Sequence, residues 1–202
     1  MAVSTMNFKI FDLYDMEEVK VTDSALAPYI NIQPKLLVKS HGRNVGKFTQ
    51  TKVHIIERLA NRLAVPGHVG KKHKIITSHS SGKYNMNMQT MINALAIIAE
   101  KKKTNPVQIL VKAIESASPR DEITTIEYGG ARYPQAVDVS PLRRVNLAIR
   151  WMIQGSFQKS FGKKKKMAEA LAQEIINASE QNMESYAMNK KNEAEKQADS
   201  AR

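Results

Sequence analysis

The 202-residue sequence contains no cysteine, and only 6% of its residues are aromatic. The absence of cysteine excludes a disulfide-stapled fold, a cysteine-ligated zinc or iron–sulfur centre and a cysteine nucleophile. No hydrophobic run approaches the roughly 18 residues that a membrane-spanning helix needs. Residues 1–7 lack the charged and apolar regions of a signal peptide. We therefore expect a cytoplasmic protein that uses its 42% apolar residues to bury a core.

Acidic residues are scarce in the middle of the chain. The whole sequence has 31 Lys and Arg against 19 Asp and Glu, a net charge of +12. Residues 24–166 hold 25 of these bases and only seven acids. Such stretches repel themselves unless a polyanion neutralises them, so the leading partner is nucleic acid. The weaker alternatives are a basic composition that serves only solubility and binding to a membrane surface.

Catalytic and metal-binding motifs are missing as well. The five histidines are His41, His54, His68, His73 and His79, and their spacing is not that of metal ligands. The three in the basic loop 66–84 have no acid nearby. We therefore expect them to contact phosphate or to be exposed to solvent rather than to bind a metal. The chain has neither a nucleotide-binding P-loop nor a Gly-x-Ser-x-Gly motif. The neighbouring Asp121 and Glu122 point to opposite sides of a predicted strand. We expect no enzyme, no metal and no cofactor.

Hydrophobic periodicity predicts a mainly α fold, a bundle of about six helices with one projecting β-hairpin. Residues 1–50 are predicted to form an irregular N-terminal extension, in which residues 8–14 make a short strand or a hydrophobic anchor. Residues 51–202 are predicted to form a helical nucleic-acid-binding domain, with the first helical period starting at Thr51. Residues 74–78 in the basic loop suggest a short strand. The tail 184–202 is predicted to be a solvent-facing helix.

Two helix starts and one turn have specific signals. Asn105-Pro106 and Ser140-Pro141 each combine a capping side chain with proline at the first helical position. The β-type runs 122–128 and 132–139 flank Gly129-Gly130, which predicts a hairpin at about 122–139. Pro134 limits the second run to an edge strand or a bulge.

The helix predicted from Pro141 combines an apolar stripe with basic residues and no acid. Its bases, with those of the lysine run that follows, are Arg143, Arg144, Arg150, Lys159, Lys163, Lys164, Lys165 and Lys166. Arginine forks match phosphate oxygens, and lysine supplies compact charge. Since a solvated helix face normally mixes both signs of charge, we expect this face to contact nucleic acid. A solvated face remains the alternative.

Several segments form a pattern of high specificity: residues 105–111, 118–120, 129–130, 135–146 (QAVDVSPLRRVN) and 148–151 (AIRW). They resemble the universal small-subunit ribosomal protein seven family in its archaeal and eukaryotic branch, whose eukaryotic members are numbered five. The resemblance covers roughly residues 51–190. The family's fold, a helical bundle with a projecting β-ribbon, agrees with the predicted elements.

The resemblance implies a structural constituent of the small ribosomal subunit. The family binds the 3′ major domain of small-subunit ribosomal RNA (rRNA), nucleates assembly of the subunit's head, and lines the exit-site region near tRNA and mRNA. The implied partners are rRNA, exit-site tRNA and mRNA, and neighbouring small-subunit proteins, with no membrane. A free-standing DNA-binding module with a basic helix in the major groove is the alternative. A nucleic-acid-processing enzyme is weaker, because it would need carboxylates to bind metal.

Two sets of site residues follow from the charge pattern and the resemblance. The expected rRNA-binding set is Arg43, Lys47, Lys52, Arg58, Arg62, Lys71, Lys72, Lys74, Lys83, Arg120, Arg143, Arg144, Arg150, Lys159, Lys163, Lys164, Lys165 and Lys166. The hairpin set expected near exit-site tRNA and mRNA is Tyr128, Gly129, Gly130, Arg132 and Tyr133. Tyrosine rings at the hairpin tip can stack on bases. An ordinary hairpin with two cross-strand tyrosines is the alternative.

Overall fold

A computed structural model of the chain describes residues 9–46, 48–68 and 80–202. In these ranges, the helices and strands in chain order are α1 (Ile55–Arg62), α2 (Tyr84–Lys102), α3 (Pro106–Ala117), β1 (Asp121–Tyr128), β2 (Ala131–Asp138), α4 (Pro141–Ser160), α5 (Met167–Ser179) and α6 (Tyr186–Asp199). The predicted fold class, six helices with one hairpin, is confirmed. The short strand predicted at 74–78 lies outside the described residues. No helix of the described ranges is long and apolar enough to cross a bilayer.

Helix α5 lies at the centre of the bundle and packs against α2, α3 and α4. Its Leu171 and Ile175 are fully buried, as are Leu95 on α2, Leu110 on α3 and Ile153 on α4. Each such side chain stabilises the fold by about 1.5–3 kcal/mol relative to full exposure. Since α5 contacts helices on several sides, it is buried over most of its surface, and all residues from 174 to 179 are buried.

Three of the six described helices, α1, α3 and α6, begin with a side-chain capping hydrogen bond. Asn105 caps α3, since its Oδ1 accepts from the Val107 backbone N at 3.1 Å. Pro141 begins α4, but the Ser140 side chain makes no capping hydrogen bond, contrary to the prediction. Helix α1 begins at Ile55 rather than near Thr51, because residues 49–52 form a 3₁₀ turn and His54 then caps the helix.

Strands β1 and β2 form a regular antiparallel hairpin. Gly129 and Gly130 at its turn have φ angles of 58° and 81°, a left-handed conformation that glycine adopts without a steric penalty. Pro134 pairs with Thr125 in an unbroken register, so β2 is an edge strand without a bulge. All residues from 123 to 135 are exposed, so the hairpin projects from the bundle.

Helix α6 packs against the base of the hairpin. It was predicted to be solvent-facing, but it buries Ala187, Met188 and Ala198. At its C-terminal end Glu195 accepts from the Arg120 backbone N at 3.0 Å. The Arg202 guanidinium donates to Asp121 at 2.7 Å. The prediction of a purely solvated helix is therefore wrong, because the tail's few apolar residues and its charges find partners beside β1.

The N-terminal extension covers the helices rather than standing apart. Ile10, Met16 and Leu26 are buried in the same core as the helices. The Ile10 backbone N donates to the Tyr14 carbonyl at 2.9 Å, so residues 10–14 form an anchoring turn rather than a strand. Side chains of α3 fix the following residues, as Gln108 accepts from Lys20 N at 2.8 Å. The division into an extension and a domain at residue 50 stays a prediction.

Candidate nucleic-acid interface

A cleft of about 410 Å³ lies between α1 and the N-terminal half of α4. Four arginines line it, Arg58 and Arg62 from α1 and Arg143 and Arg150 from α4, and we refer to it as the four-arginine cleft. None of the described residues that line it is acidic. The two helices thus concentrate positive charge in a concave surface, where low-dielectric walls strengthen the field on an anion.

Arg58 is the fixed element of the cleft. It is 5% exposed, and its guanidinium donates from Nη1 to the Tyr29 carbonyl at 2.8 Å and from Nη2 to Asn146 Oδ1 at 2.9 Å. Burial lowers its pKa to about 10, so it stays charged at neutral pH. Its Nε is buried and has no partner among the described residues. A rigid, charged donor therefore lies in the cleft wall.

Arg62 lies close enough to Arg150 for the charge of Arg150 to act on it. Burial and then the charge of Arg150 lower the pKa of Arg62. The Arg62 Nη2 is buried and no described residue accepts from it. Two guanidinium groups without a carboxylate between them repel each other, and an anion placed between them would remove that repulsion.

Arg143 joins the cleft to the hairpin. Its Nε lies 2.6 Å from Glu122 Oε1 and its Nη2 donates to Oε2 at 2.8 Å, a bidentate pair at the base of β1. The Arg143 side chain is 55% exposed. Because an exposed ion pair is worth only about 0–1 kcal/mol, phosphate can replace Glu122 as the partner at small cost.

Arg144 and Lys159 make internal ion pairs. Arg144 donates to Asp23 of the extension at 3.0 Å, its side chain is 11% exposed, and it does not line the cleft. Lys159 lies 2.6 Å from the fully buried Glu174. Sequence reasoning missed both pairs, because the partners lie on different segments, 121 residues apart in one pair and 15 in the other, and only the tertiary fold brings them together. Their assignment to rRNA stays a prediction, and the structure gives each a role in the fold.

The remaining predicted bases are dispersed over the surface. Arg43 and Lys52 line a separate cavity beside the extension. The four lysines 163–166 are exposed after the far end of α4, which at 20 residues is about 30 Å long. Lys83 and Arg120 are exposed elsewhere. The predictions for Lys47, Lys71, Lys72 and Lys74 fall outside the described residues.

The hairpin tip lies apart from the cleft and differs from it in charge. Tyr128 is 81% exposed and Tyr133 58% exposed. Arg132, whose Nε lies 3.5 Å from Glu127, is the only base against four acids in residues 121–138. The tip therefore offers aromatic rings rather than free positive charge.

Three of the histidines lie in the described ranges. His41 and His68 are exposed, whereas His54 is 2% exposed and caps α1. His73 and His79 fall outside those ranges. The described residues contain no cluster of three or more metal-binding side chains. The burial of His54 had one signal in the sequence, its position directly before the apolar pair Ile55-Ile56.

Comparison with known proteins gives a consistent relationship over nearly the whole chain. The family described as Ribosomal protein S7p/S5e matches residues 27–202. The small ribosomal subunit protein uS7 of Nanoarchaeum equitans is 50% identical over 198 residues, which cover 98% of this chain and all of that protein. The uS7 proteins of Methanosphaera stadtmanae and Methanothermobacter thermautotrophicus are 41% and 42% identical and cover 97% and 95% of the chain, at 100% and 98% of their own lengths. With the helical bundle and hairpin described above, these matches show that the chain belongs to the ribosomal protein S7p/S5e family.

Proposed function

We propose that this protein is a structural constituent of the small ribosomal subunit and that its four-arginine cleft binds the 3′ major domain of small-subunit rRNA. The structural role in the small subunit rests on family membership, since relatives that align over nearly the whole chain are named small ribosomal subunit proteins. A protein of this family is not an enzyme. It works in the cytoplasmic ribosome beside rRNA and neighbouring ribosomal proteins.

One observation supports the binding of rRNA by the cleft, namely that Glu122 neutralises only Arg143 and that no described carboxylate forms an ion pair with Arg58, Arg62 or Arg150. Four arginines converge there, no acid lines its described part, and two buried guanidinium nitrogens lack acceptors. Phosphate oxygens supply both the negative charge and the acceptors, and arginine binds them through paired hydrogen bonds. A nucleic-acid backbone meets both requirements, and family membership favours RNA over DNA.

We also propose that this binding nucleates assembly of the subunit's head. The cleft runs along the N-terminal half of α4, from Ser140 to Arg150, and the lysines 163–166 follow its C-terminal end, so about 15–30 Å of helix separates the two basic sites. A rigid helix with a basic site at each end can hold two RNA segments at a fixed separation. Such a fixed separation supports the folding of a multi-helix RNA domain around the protein.

We propose that the hairpin reaches toward exit-site tRNA and mRNA. Its eight-residue strands extend about 26 Å from their base. The exposed rings of Tyr128 and Tyr133 at the tip can stack on bases, which needs no positive charge.

The test of the cleft is an Arg150→Ala variant. The Arg150 charge lowers the pKa of Arg62, so removal should leave thermal stability unchanged or slightly higher. Affinity for a fragment of the 3′ major domain should fall by about 1.5–3 kcal/mol, the value of a hydrogen bond to a charged group. The matched control is Lys112→Ala, an exposed base on α3 that does not line the cleft. Unchanged RNA affinity in Arg150→Ala would remove the cleft from the interface.

Two further measurements separate ribosomal from other nucleic-acid roles. The protein should co-sediment with the small subunit in magnesium-containing gradients. A DNA duplex of equal charge should compete poorly with the rRNA fragment. Equal competition by DNA would favour the free-standing DNA-binding alternative.

A further inference from the structure

A second concave site lies beside the N-terminal extension. It is a cavity of about 910 Å³ between residues 27–44 and the start of α1, and it shares no lining residue with the four-arginine cleft. Its inner wall is apolar, with Ile30, Val38 and Val53 buried. We refer to it as the extension cavity. Its volume falls in the range of pockets that hold one small molecule or a comparable group.

The rim of the extension cavity is strongly basic. Its four bases, Lys35, Lys39, Arg43 and Lys52, are all exposed. In the described part of the chain none of them forms an ion pair with a carboxylate. Lys39 instead has its Nζ 5.0 Å from the centre of the Tyr84 ring, which leaves its charge in place.

The one acid in the cavity wall is already occupied. Glu57 is 4% exposed, and its Oε1 accepts from the Ser40 backbone N at 2.9 Å and from Ser40 Oγ at 2.7 Å. This carboxylate faces hydrogen-bond donors of the extension rather than the basic rim. The cavity therefore carries an excess of three positive charges over its described lining.

His54 adds a neutral donor to the wall. Its Nδ1 accepts from the Ile56 backbone N at 3.2 Å, which places the ring proton on Nε2. Burial and the charge of Lys35 lower its pKa to about 4, so the ring is neutral near pH 7. Its Nε2 is buried and has no acceptor in the described ranges. A buried N–H without an acceptor is costly, which favours an occupant with an oxygen or nitrogen acceptor.

We propose that the extension cavity binds an unpaired RNA nucleotide, with its phosphate held by Lys35, Arg43 and Lys52 and with His54 Nε2 donating to one of its acceptors. A cavity of about 910 Å³ has room for a nucleotide turned out of a helix but not for a duplex. The rim charges fit the phosphate, and the apolar inner wall fits the face of a base. This inference rests on the proposed function, because it takes the occupant to be rRNA.

The site can be mapped with a tethered cleavage reagent, because the chain has no native cysteine. A hydroxyl-radical-generating iron chelate is attached at Gln33→Cys on the cavity and, in a second variant, at Leu147→Cys in the cleft. Each protein is bound to the same fragment of the 3′ major domain. We expect the cavity probe to cut unpaired nucleotides at positions that the cleft probe does not cut.

Substitutions then test which groups hold the nucleotide. Lys35→Ala with Lys52→Ala should weaken binding about tenfold and reduce the salt slope by about 1.4, since each contact to single-stranded RNA contributes about 0.7. His54→Asn keeps an N-cap for α1 but removes the Nε2 donor, and it should weaken binding about three- to tenfold. Lys112→Ala is the matched surface control, and thermal unfolding checks that each variant is folded.

The outcomes separate this inference from the proposed function. If the cleft probe cuts and the cavity probe does not, or cuts only paired nucleotides, the extension cavity is not an RNA site although the function stands. If neither probe cuts, the proposed function itself fails. Loss of the cavity cuts in the presence of micromolar adenosine monophosphate would overturn the inference, because the site would then belong to a free nucleotide. Loss of the cuts on addition of an acidic peptide at the same concentration would overturn it in favour of a protein partner.

Discussion

The four-arginine cleft and the β-hairpin have opposite chemistry, although the pair Arg143–Glu122 joins them. The cleft is cationic, half-buried and fixed between two helices, whereas residues 121–138 carry four acids and one base and project from the bundle. Phosphates are attracted to the first region and repelled by the second. Positive charge that attracts an anion and reach beyond the bundle therefore reside in different parts of the molecule.

The two regions also differ in what holds them. Arg58 is fixed by the Tyr29 carbonyl and by Asn146, so the cleft depends on contacts between the extension, α1 and α4. The hairpin depends on its own ladder and turn, and only its base contacts α6. Disturbing the extension should therefore damage the cleft before it damages the hairpin.

Lowering the pH should have the largest effect on stability, and it should damage the cleft before the hairpin. The His54 pKa is about 4 in the folded protein against 6.5 in an exposed chain, so the unfolded state binds the proton more readily. Stability is then full above about pH 6.5 and falls by about 3 kcal/mol as the pH drops toward 4. Because His54 caps α1, the cleft should loosen first. Urea unfolding at several pH values measures the loss.

His54→Asn is the control for this pH dependence, because it retains the cap and does not titrate. Between pH 7 and pH 4 the unfolding free energy of the unmodified protein should fall by about 3 kcal/mol relative to that of His54→Asn. An identical pH dependence in both proteins would show that other groups cause the loss.

The adjacent Arg143 and Arg144 should differ in their effects on stability and on RNA affinity. Arg144→Ala removes an 11%-exposed partner of Asp23 and should lower the unfolding free energy by about 2 kcal/mol, less than for a fully buried pair because Asp23 keeps some solvent contact. Arg143→Ala removes an exposed pair and should cost less than about 1 kcal/mol. For RNA affinity we expect the reverse order. Equal losses of stability in thermal unfolding would mean that α4 does not divide its arginines in this way.

Shortening the hairpin should have the smallest effect on the folded protein. Replacing residues 125–134 by Asn-Gly keeps Thr124 opposite Gln135 and restores a two-residue turn. Because the removed residues are exposed, the unfolding free energy should change by less than about 1 kcal/mol. Subunit incorporation should persist, while exit-site tRNA should dissociate faster from the ribosome. Failed incorporation would make the hairpin an assembly element.

The double variant Tyr128→Ala with Tyr133→Ala tests the tip without altering the ribbon. If stacking is the tip's contribution, this variant should reproduce the faster tRNA release of the shortened hairpin. Normal release in the double variant, with fast release in the shortened one, would assign the effect to the backbone of the ribbon.

Local signals made much of the fold predictable from the sequence. The glycine pair correctly predicted the hairpin turn, because both positions adopt positive φ. Asn105-Pro106 correctly predicted the start of α3, because Asn105 caps the helix. Apolar residues at helical spacing predicted the helices, because each helix packs apolar side chains into the shared core. The start of α1 was misplaced, since a 3₁₀ turn with the same apolar spacing precedes it.

Long-range pairing was the part that the sequence could not supply. The sequence does not distinguish an arginine that faces RNA from one that pairs within the fold, as Arg144 does with Asp23, 121 residues away. Arg143, Asn146 and Arg150 line the cleft from α4, but their position opposite Arg58 and Arg62 depends on how α1 packs. The extension cavity likewise arises only when the extension folds over His54.

The salt dependence of RNA binding tests the division between cleft and hairpin most directly. For a fragment of the 3′ major domain, log K should fall with log salt with a slope of about −0.9 per neutralised phosphate. Arg62→Ala with Arg150→Ala should reduce the steepness by about 2, and the shortened hairpin should keep the slope of the unmodified protein. A slope that flattens in the protein with the shortened hairpin and stays steep in the arginine variant would show that the hairpin, not the cleft, contacts the phosphates.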